Sequence, residues 1–298
     1  MLLFPPMYYI VYAFFYLFSL LPLWLLYGIS DGVRFILYYI VPYRKQIVLA
    51  NLARAFPEKT EAERRKIAWA FYRNFNDHFL ETLKLLSASR SWLEKHFTVD
   101  NPEMYQQFLD QGRRCQLHLG HSFNWEFPNS LLGYLVNPFI VIYMPVRNKI
   151  LDRLFNKLRS RTGTILVAAT SARKEMMSYR HQPYLIALVA DQAPGSPENA
   201  YWLNFFGQPT DFVRSPERGA RAGDIPVVFV HFYKTRRGRY HGKLFLGDDH
   251  PAKLPEGELT RRYVRFLEWS IREEPTLYLW THRRWKHEWR PGYGKLVD

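Results

Sequence analysis

A histidine and a carboxylate stand close together in the segment 115–128, which reads CQLHLGHSFNWEFP. His121 precedes Glu126 by five residues, and a regular helix would place such positions about 140° apart round its axis. The pair can therefore meet only if His121 ends a strand and Glu126 lies in the turn or first helical turn that follows. Pro128 supports this arrangement because proline is tolerated in the first turn of a helix. A histidine held by a carboxylate is the arrangement of a general base.

The same spacing has a simpler interpretation, in which two polar residues flank an ordinary strand-to-helix turn. Histidine and glutamate are common residues, and a motif this short also arises where there is no chemistry. The rest of the chain must decide between the two interpretations.

The basic composition is typical of a protein that binds an acidic partner, or of one whose basic surface is simply solvated. The chain has 298 residues, enough for a large core, with 41 Lys and Arg against 27 Asp and Glu, a net charge of +14 and 17% aromatic residues. Such a chain suits nucleic acid, an anionic membrane surface, or a merely solvated basic face. Its single cysteine, Cys115, excludes an intramolecular disulfide. No Cys and His have zinc-ligand spacing, so we expect neither a metal nor another cofactor.

The N-terminal region predicts a membrane anchor. Residues 7–29 read MYYIVYAFFYLFSLLPLWLLYGI, without a charge and about long enough to cross a hydrocarbon core. No basic residue precedes this run and no small-residue cleavage site follows it, unlike a signal peptide. We expect a retained anchoring helix, kinked or ended at Pro22 and Gly28, and a short interfacial helix at 33–41. The alternative is that both pieces are core helices of a soluble domain.

The division of the chain follows from this anchor. Residues 1–45 would form the membrane anchor and interfacial helix, and residues 46–298 the catalytic domain. The basic residues that follow the second apolar piece, Arg44 and Lys45, favour the cytoplasmic side of the membrane.

Beyond residue 45, apolar periodicity switches repeatedly between helix and strand. This pattern predicts an α/β fold with a mixed, largely parallel sheet flanked by helices. We expect strands at 97–99, 115–119, 138–143, 165–167, 184–190, 225–233, 240–246 and 278–281. We expect helices at 47–88 (broken at Pro57), 102–111, 127–135, 148–160, 171–179 and 259–273. Ligands bind at the carboxyl ends of strands in such sheets, so His121 and Asp191, which each follow an apolar strand, should line one cleft.

Five segments in order resemble sequence blocks of the lipid A late acyltransferases of Gram-negative bacteria, within the lysophospholipid acyltransferase superfamily. They are GHSFNWE at 120–126, IYMPVRNKILDRLFNKLRSRTG at 142–163, ADQAPG at 190–195, FFGQPTDFVRSPERGARAGDIPVV at 205–228 and YLWTHRRWK at 278–286. The resemblance covers nearly the whole chain. It departs from the family pattern at Ser122-Phe123, where the family usually has glycine, and at Met144, which replaces an arginine.

The resemblance implies a membrane-bound acyltransferase on the cytoplasmic face of the bacterial inner membrane. Such an enzyme moves a fatty acyl chain from acyl carrier protein, or sometimes coenzyme A, to a hydroxyl of a lipid A precursor. His121 would be the base and Glu126 would orient its ring, with direct transfer and no acyl-enzyme. Backbone amides after Gly120 would bind the oxyanion.

The resemblance also assigns substrate-binding residues. Arg159 would hold an acceptor phosphate or form a salt bridge with Asp191, and Arg161 and Arg173 are further candidates. The long segment 191–223 would form a loop that covers the acyl chain.

Two alternatives remain open at this point. The same chemistry would serve another phosphoglycolipid, lysophospholipid or aminolipid acceptor. A non-catalytic basic protein of the membrane surface would also match the composition. The sequence contains no nucleic-acid-binding motif, so we do not expect a nucleic-acid partner.

Overall fold

The computed structural model describes residues 4–293 and 296–297. The helices are α1 Phe4–Leu20, α2 Leu23–Phe35, α3 Lys45–Ala55, α4 Glu61–Lys84, α5 Arg90–His96, α6 Glu103–Asp110, α7 Glu126–Leu135, α8 Lys149–Ser160, α9 Ala172–Glu175, α10 Ser215–Gly223 and α11 Glu258–Glu273. The strands are β1 Phe97–Val99, β2 Cys115–Leu119, β3 Phe139–Tyr143, β4 Ile165–Ala168, β5 Leu185–Val189, β6 Tyr201–Phe205, β7 Gln208–Phe212, β8 Val227–Arg236, β9 Arg239–Asp248 and β10 Leu296–Val297.

Seven strands form one sheet in the order β1-β9-β8-β2-β5-β3-β4. The β8–β9 pair is antiparallel and the other neighbouring strands are parallel. Strand β2 lies at the centre and all five of its residues are buried, as expected for a strand covered on both faces. The predicted α/β fold with a mixed, largely parallel sheet is confirmed.

Helices cover both faces of this sheet. Successive residues of β8 alternate between two buried clusters, since Val227 and Phe229 pack with Phe71 and Leu267, whereas Val228 and Val230 belong to the other cluster. A strand places successive side chains on opposite faces, so the two clusters are the two sides of one sheet.

The register of the two central parallel strands determines where the site lies. Strand β2 pairs with β5 without a shift, and Leu119 lies opposite Val189. His121 and Asp191 each follow two residues later, so both leave the same edge of the sheet from neighbouring strands. The two side chains meet at this edge, but only His121 lines the cavity there, because Asp191 is buried behind it.

The predicted long loop at 191–223 was wrong. The segment contains the antiparallel β6–β7 hairpin, which belongs to a second, three-stranded sheet, and helix α10. The hairpin turns at Phe206 and Gly207, both with positive φ (51° and 72°), the backbone of a two-residue turn. The many glycines and prolines of the segment 191–223 mark turns between short elements.

The predicted terminal strand at 278–281 is also absent. The segment instead packs against the loop after β2, where Leu279 N donates to His121 O at 3.0 Å and Phe123 N donates to Leu277 O at 3.0 Å. An isolated bridge joins Ser122 to Tyr278. These backbone bonds fix the loop that carries His121.

The expected break at Pro22 is present, whereas the one expected at Gly28 is not. The chain breaks before Pro22, which lacks a backbone N–H, and α2 continues through Gly28. Within the described residues, no single helix is long and apolar enough to cross a membrane. The segments Pro6–Leu20 and Leu23–Ile40 together reach that length and composition, but they are bent by 111°.

The N-terminal helices are attached to α4 by polar contacts. Ser30 Oγ donates to Asp77 Oδ1 at 2.6 Å, and the Tyr27 hydroxyl donates to Glu81 Oε1 at 2.8 Å. Most of the large apolar side chains that the described chain exposes nevertheless lie between residues 7 and 43. A contiguous exposed apolar surface marks a protein or membrane interface. The division at residue 45 remains a prediction.

Candidate active site

His121 is held by Asp191. The ring Nδ1 lies 2.5 Å from Asp191 Oδ1, and the backbone N–H of His121 donates to Oδ2 at 3.0 Å. Burial alone would raise the pKa of this carboxyl, which is 1% exposed, but the hydrogen bonds and charge of His121 hold that pKa below its usual value. Because one carboxylate binds both the ring and the main chain of His121, it fixes the tautomer and the direction of the imidazole.

Gly120 allows helix α11 to pack closely against the end of β2, just before His121. A Cβ atom at residue 120 would lie 2.5 Å from Leu267 Cδ1 on α11, so a larger residue would push the loop away from the helix. The Tyr263 hydroxyl of the same helix donates to Leu119 O at 2.8 Å. Helix α11 therefore positions the end of β2 and the histidine that follows it.

The predicted pairing of Glu126 with His121 was wrong, as was that of Arg159 with Asp191. Within the described chain no hydrogen bond joins His121 to Glu126. Arg159, near the end of α8, instead places Nε at 3.1 Å from both Glu126 oxygens and Nη2 at 2.5 Å from Oε1. Burial alone would raise the pKa of Glu126, but Arg159 holds that pKa below its usual value. The acid partner of His121 comes from the neighbouring strand rather than from the following helix.

Asn124 connects the active-site loop to a buried carboxylate on α4. Its Oδ1 accepts from Glu126 N at 3.0 Å, and its Nδ2 donates to Glu81 Oε2 at 3.0 Å. Glu81 also accepts from the Tyr240 hydroxyl and is fully buried. Glu81 therefore supports the loop that carries Asn124. Its place at the site depends on contacts between distant segments, so no local pattern revealed it.

The Ser122-Phe123 departure from the family pattern has a packing explanation. Phe123 is fully buried, and its ring lies 5.9 Å from Phe71 and 5.5 Å from Trp125. The loop is thereby anchored in the core.

The three amides that directly follow Gly120 are already hydrogen-bonded within the protein. The N–H groups of His121, Ser122 and Phe123 donate to Asp191, Gly120 O and Leu277 O respectively. These three donors therefore stabilise the loop and have no free hydrogen for a substrate oxygen.

A cavity of about 510 Å³ opens beside His121. Its polar part is formed by His121, Glu126, Arg159 and Gln192, and Gln192 Nε2 lies 3.2 Å from His121 Nε2. The rest is mostly apolar and runs along one face of the sheet; its walls include Leu119, Leu132, Val141, Val189, Phe232 and Leu244. Ligand sites are typically apolar cavities of this size with a few polar groups. Since Asp191 occupies Nδ1, the other ring nitrogen is the one that can accept a proton from a bound hydroxyl.

The remaining predicted binding residues lie outside this cavity. Arg161 donates to Leu85 O at 2.6 Å and to Ala88 O at 2.8 Å, beyond the end of α4. Arg173 is exposed on α9. Met144, at the arginine position of the family block, is 69% exposed on the rim of the cavity. Of the six predicted site residues, the structure brings together His121, Glu126, Arg159 and Asp191.

His78 on α4 is a buried histidine next to the site. Its ring lies 4.2 Å from that of Trp125, and Nδ1 has no hydrogen-bond partner in the described part of the chain. Burial lowers its pKa to about 4. An unfolded histidine has a pKa of about 6.5, so between these values the unfolded chain binds a proton that the native state does not.

The His78→Phe variant should therefore show a weaker pH dependence of stability. In the wild type, the free energy of unfolding falls as the pH is lowered from about 6.5 to about 4. In the variant, the slope of the free energy of unfolding against pH should be smaller by about 1.4 kcal/mol per pH unit in this range. Urea titrations at several pH values measure this, with exposed His181→Phe as the matched control. An unchanged slope in His78→Phe would show that His78 is protonated in the native state.

Comparisons with known proteins identify the family of this chain. Residues 2–287 match the family model described as bacterial lipid A biosynthesis acyltransferase. A lipid A biosynthesis myristoyltransferase of Escherichia coli K12 is 22% identical over 242 residues, covering 78% of this chain and 72% of that protein. A lipid A biosynthesis acyltransferase of Haemophilus influenzae is 24% identical over 248 residues, with coverages of 82% and 78%.

A crystal structure of the 1-acyl-sn-glycerophosphate acyltransferase of Thermotoga maritima aligns with a TM-score of 0.38 and 14% identity, over 86% of this chain and 94% of that one. The family match, which spans nearly the whole chain, identifies an O-acyltransferase. More narrowly, the chain belongs to the bacterial lipid A biosynthesis acyltransferase family.

Proposed function

We propose that this protein transfers a fatty acyl chain from an acyl carrier protein thioester directly to a hydroxyl of a lipid A precursor, with His121 as the base. Family membership supports acyl transfer to lipid A. The observation that favours His121 as the base is its geometry, with Nδ1 bound to Asp191 and the ring lining the cavity.

The proposed step is a single displacement. His121 Nε2 removes the hydroxyl proton as the hydroxyl oxygen attacks the thioester carbonyl carbon. The carbon–sulfur bond then breaks, and the proton passes from the imidazolium to the departing thiolate. Asp191 stabilises the imidazolium between these two proton transfers.

The nearby nucleophilic groups do not favour an acyl-enzyme. Cys115 is fully buried within β2, and burial raises the pKa of its thiol. Ser122 is 7% exposed, and its backbone pairs with Tyr278. A nucleophile must be ionised or next to a base, and exposed to its substrate, so neither residue suits covalent catalysis.

Arg159 supplies a cation for the acceptor. Its Nε and Nη2 bind Glu126, while Nη1 has no hydrogen-bond partner within residues 4–293 and 296–297. The residue lines the cavity, so Nη1 would bind an acceptor phosphate. Glu126 then serves to hold the arginine rather than the histidine.

The bent N-terminal helix pair would attach the enzyme to the cytoplasmic face of the inner membrane. Its exposed apolar surface suits the hydrocarbon, and the net charge of +14 attracts both acidic carrier protein and anionic lipids.

Leu244→Trp should shorten the preferred acyl chain. Leu244 is 4% exposed and lines the cavity at the end away from the rim at Met144. Filling that end should lower kcat/KM for the longest accepted chain about tenfold relative to a shorter one. Competition between acyl thioesters of different length measures this ratio. Leu246→Trp, on the same strand but 54% exposed, is the matched control and should not change the preference. An equal effect of both substitutions would place the chain elsewhere.

The function is tested with purified protein, acyl-acyl carrier protein and a lipid A precursor, followed by mass spectrometry of both lipid and protein. We expect an acylated lipid A precursor and an unmodified protein. An acyl-protein that forms and decays at the rate of turnover would contradict direct transfer. If only coenzyme A thioesters supported transfer, acyl carrier protein would be the wrong donor. If only a lysophospholipid were acylated, a lipid A precursor would be the wrong acceptor.

A further inference from the structure

A second pocket, strongly basic, lies between the end of α5 and the β8–β9 hairpin. It has a volume of about 280 Å³ and is lined at one side by the last turn of α5 and at the other by the hairpin. Its basic side chains are Lys95, His96, Arg236, Arg239 and His241, and Glu94 is its acidic one. It shares one lining residue, the buried Phe97, with the cavity at His121, so it is a separate site.

Three of the five basic side chains of this pocket have no acidic partner among the described residues, whereas His241 Nδ1 lies 3.6 Å from Asp100 Oδ1. Lys95, Arg236 and Arg239 form no ion pair with any residue that the structure describes, and Glu94 is engaged by Arg90 at 2.8 Å. His96 Nδ1 donates to Trp92 O at 2.7 Å. Burial, with the charges of Arg239, Arg236 and Lys95, lowers the pKa of His96. Positive charge is thus concentrated at one place, where a bound anion would relieve the repulsion.

The hairpin places the backbone of two of these cations side by side before any ligand binds. Arg236 and Arg239 lie opposite each other in the β8–β9 register. Between them, Arg237 reaches Asp31 at 2.8 Å and the fully buried Asp77 at 2.6 Å. These ion pairs fix the tip of the hairpin, so the backbone of the flanking arginines needs no rearrangement when they bind an anion.

The pocket lies beside the apolar N-terminal helices. A Cβ atom on Gly238, at the hairpin tip, would lie 2.3 Å from the Tyr27 hydroxyl, so the tip rests directly on α2. Trp24, at the start of α2, is 73% exposed. An exposed tryptophan on the helix that carries the hairpin tip is typical of the level of lipid headgroups.

We propose that this pocket binds the phosphate of an anionic phospholipid headgroup and fixes the enzyme's orientation on the membrane. The proposal rests on the membrane attachment in the proposed function, but not on catalysis. A lipid is favoured over free phosphate because the pocket adjoins an exposed apolar surface that would accept the acyl chains.

Soluble short-chain lipids test the site directly. In the full-length protein in zwitterionic detergent, dihexanoyl phosphatidic acid should bind saturably and raise the pKa of His96, measured by NMR. Dihexanoyl phosphatidylcholine should have little effect. The Arg236→Gln/Arg239→Gln variant should lose the response. A response of equal strength to inorganic phosphate would overturn the lipid assignment, and the absence of saturable binding would overturn the site.

Vesicle binding tests its role at the membrane. Phosphatidylcholine vesicles that contain phosphatidic acid should bind the Arg236→Gln/Arg239→Gln variant about 25-fold more weakly than the wild type, roughly fivefold for each cation. The charge-matched control is Arg218→Gln/Lys253→Gln, whose residues are exposed beyond the opposite end of the hairpin. An equal loss in this control would show a general effect of net charge and overturn the proposal.

Acyl transfer in detergent separates this proposal from the function. The Arg236→Gln/Arg239→Gln variant should keep wild-type transfer rates there, since neither residue lines the cavity at His121. If the wild type transferred no acyl chain, the proposed function would fail while the lipid-binding result stood. If transfer were normal but binding did not distinguish anionic from zwitterionic lipid, this proposal alone would fail.

Discussion

Asp191→Asn should lower kcat about 10⁴-fold while the protein remains folded. Two donors of His121 converge on this carboxylate, the ring Nδ1 at 2.5 Å and the backbone N–H at 3.0 Å. A carboxylate accepts both hydrogens, whereas an asparagine offers one oxygen and one NH₂ group. The NH₂ group would face the ring, which then carries its proton on Nε2 and cannot accept another from the substrate.

Single-turnover acyl transfer measures this loss without the contribution of product release. His121→Ala should cost at least as much, and the His121→Ala/Asp191→Asn double variant should be no slower than His121→Ala, because the two residues act as one unit. Losses that add in the double variant would mean that Asp191 acts independently of His121.

Arg159→Met should lower the free energy of unfolding by about 3–5 kcal/mol. The variant leaves the carboxylate of Glu126, which is 2% exposed, without the arginine that neutralises it. The Glu126→Gln/Arg159→Met double variant removes that buried charge and should recover most of the loss. Urea unfolding of the three proteins measures the coupling. A double variant as unstable as Arg159→Met would show that packing, and not the unpaired charge, is responsible.

The elements that present the histidine were predictable from local pattern. An apolar run that ends at Gly120 predicted both β2 and a histidine at its carboxyl end. The corresponding run that ends before Asp191 predicted β5. Because parallel strands bring their carboxyl ends to one edge, the proximity of His121 and Asp191 followed from these two observations.

The pairing within the site was not predictable in the same way. Proximity in sequence favoured Glu126 as the partner of His121, but the unshifted register of β2 and β5 brings Asp191 closer. Whether two strands are neighbours, and in which register, depends on contacts across the whole sheet. The same holds for Glu81 and Asn124, which meet from segments 43 residues apart.

The N-terminal region shows a different limit of sequence patterns. Hydropathy predicted the apolar run 7–29 and proline predicted a kink or an end at residue 22, but neither gives the angle between the two halves. Pro22 divides the run, and the two halves turn by 111°. The position of the proline determines where the two helices bend, although both helices remain as apolar as expected.

The hydrogen bond of His121 provides the most direct test of the site. In ¹⁵N-labelled protein, the Nδ1 proton of His121 should give a low-field resonance, as expected for a short bond to a carboxylate. The account predicts that this resonance survives in Glu126→Gln and disappears in Asp191→Asn. Loss of the resonance in Glu126→Gln and its retention in Asp191→Asn would contradict the account, and would make Glu126 the partner of the base.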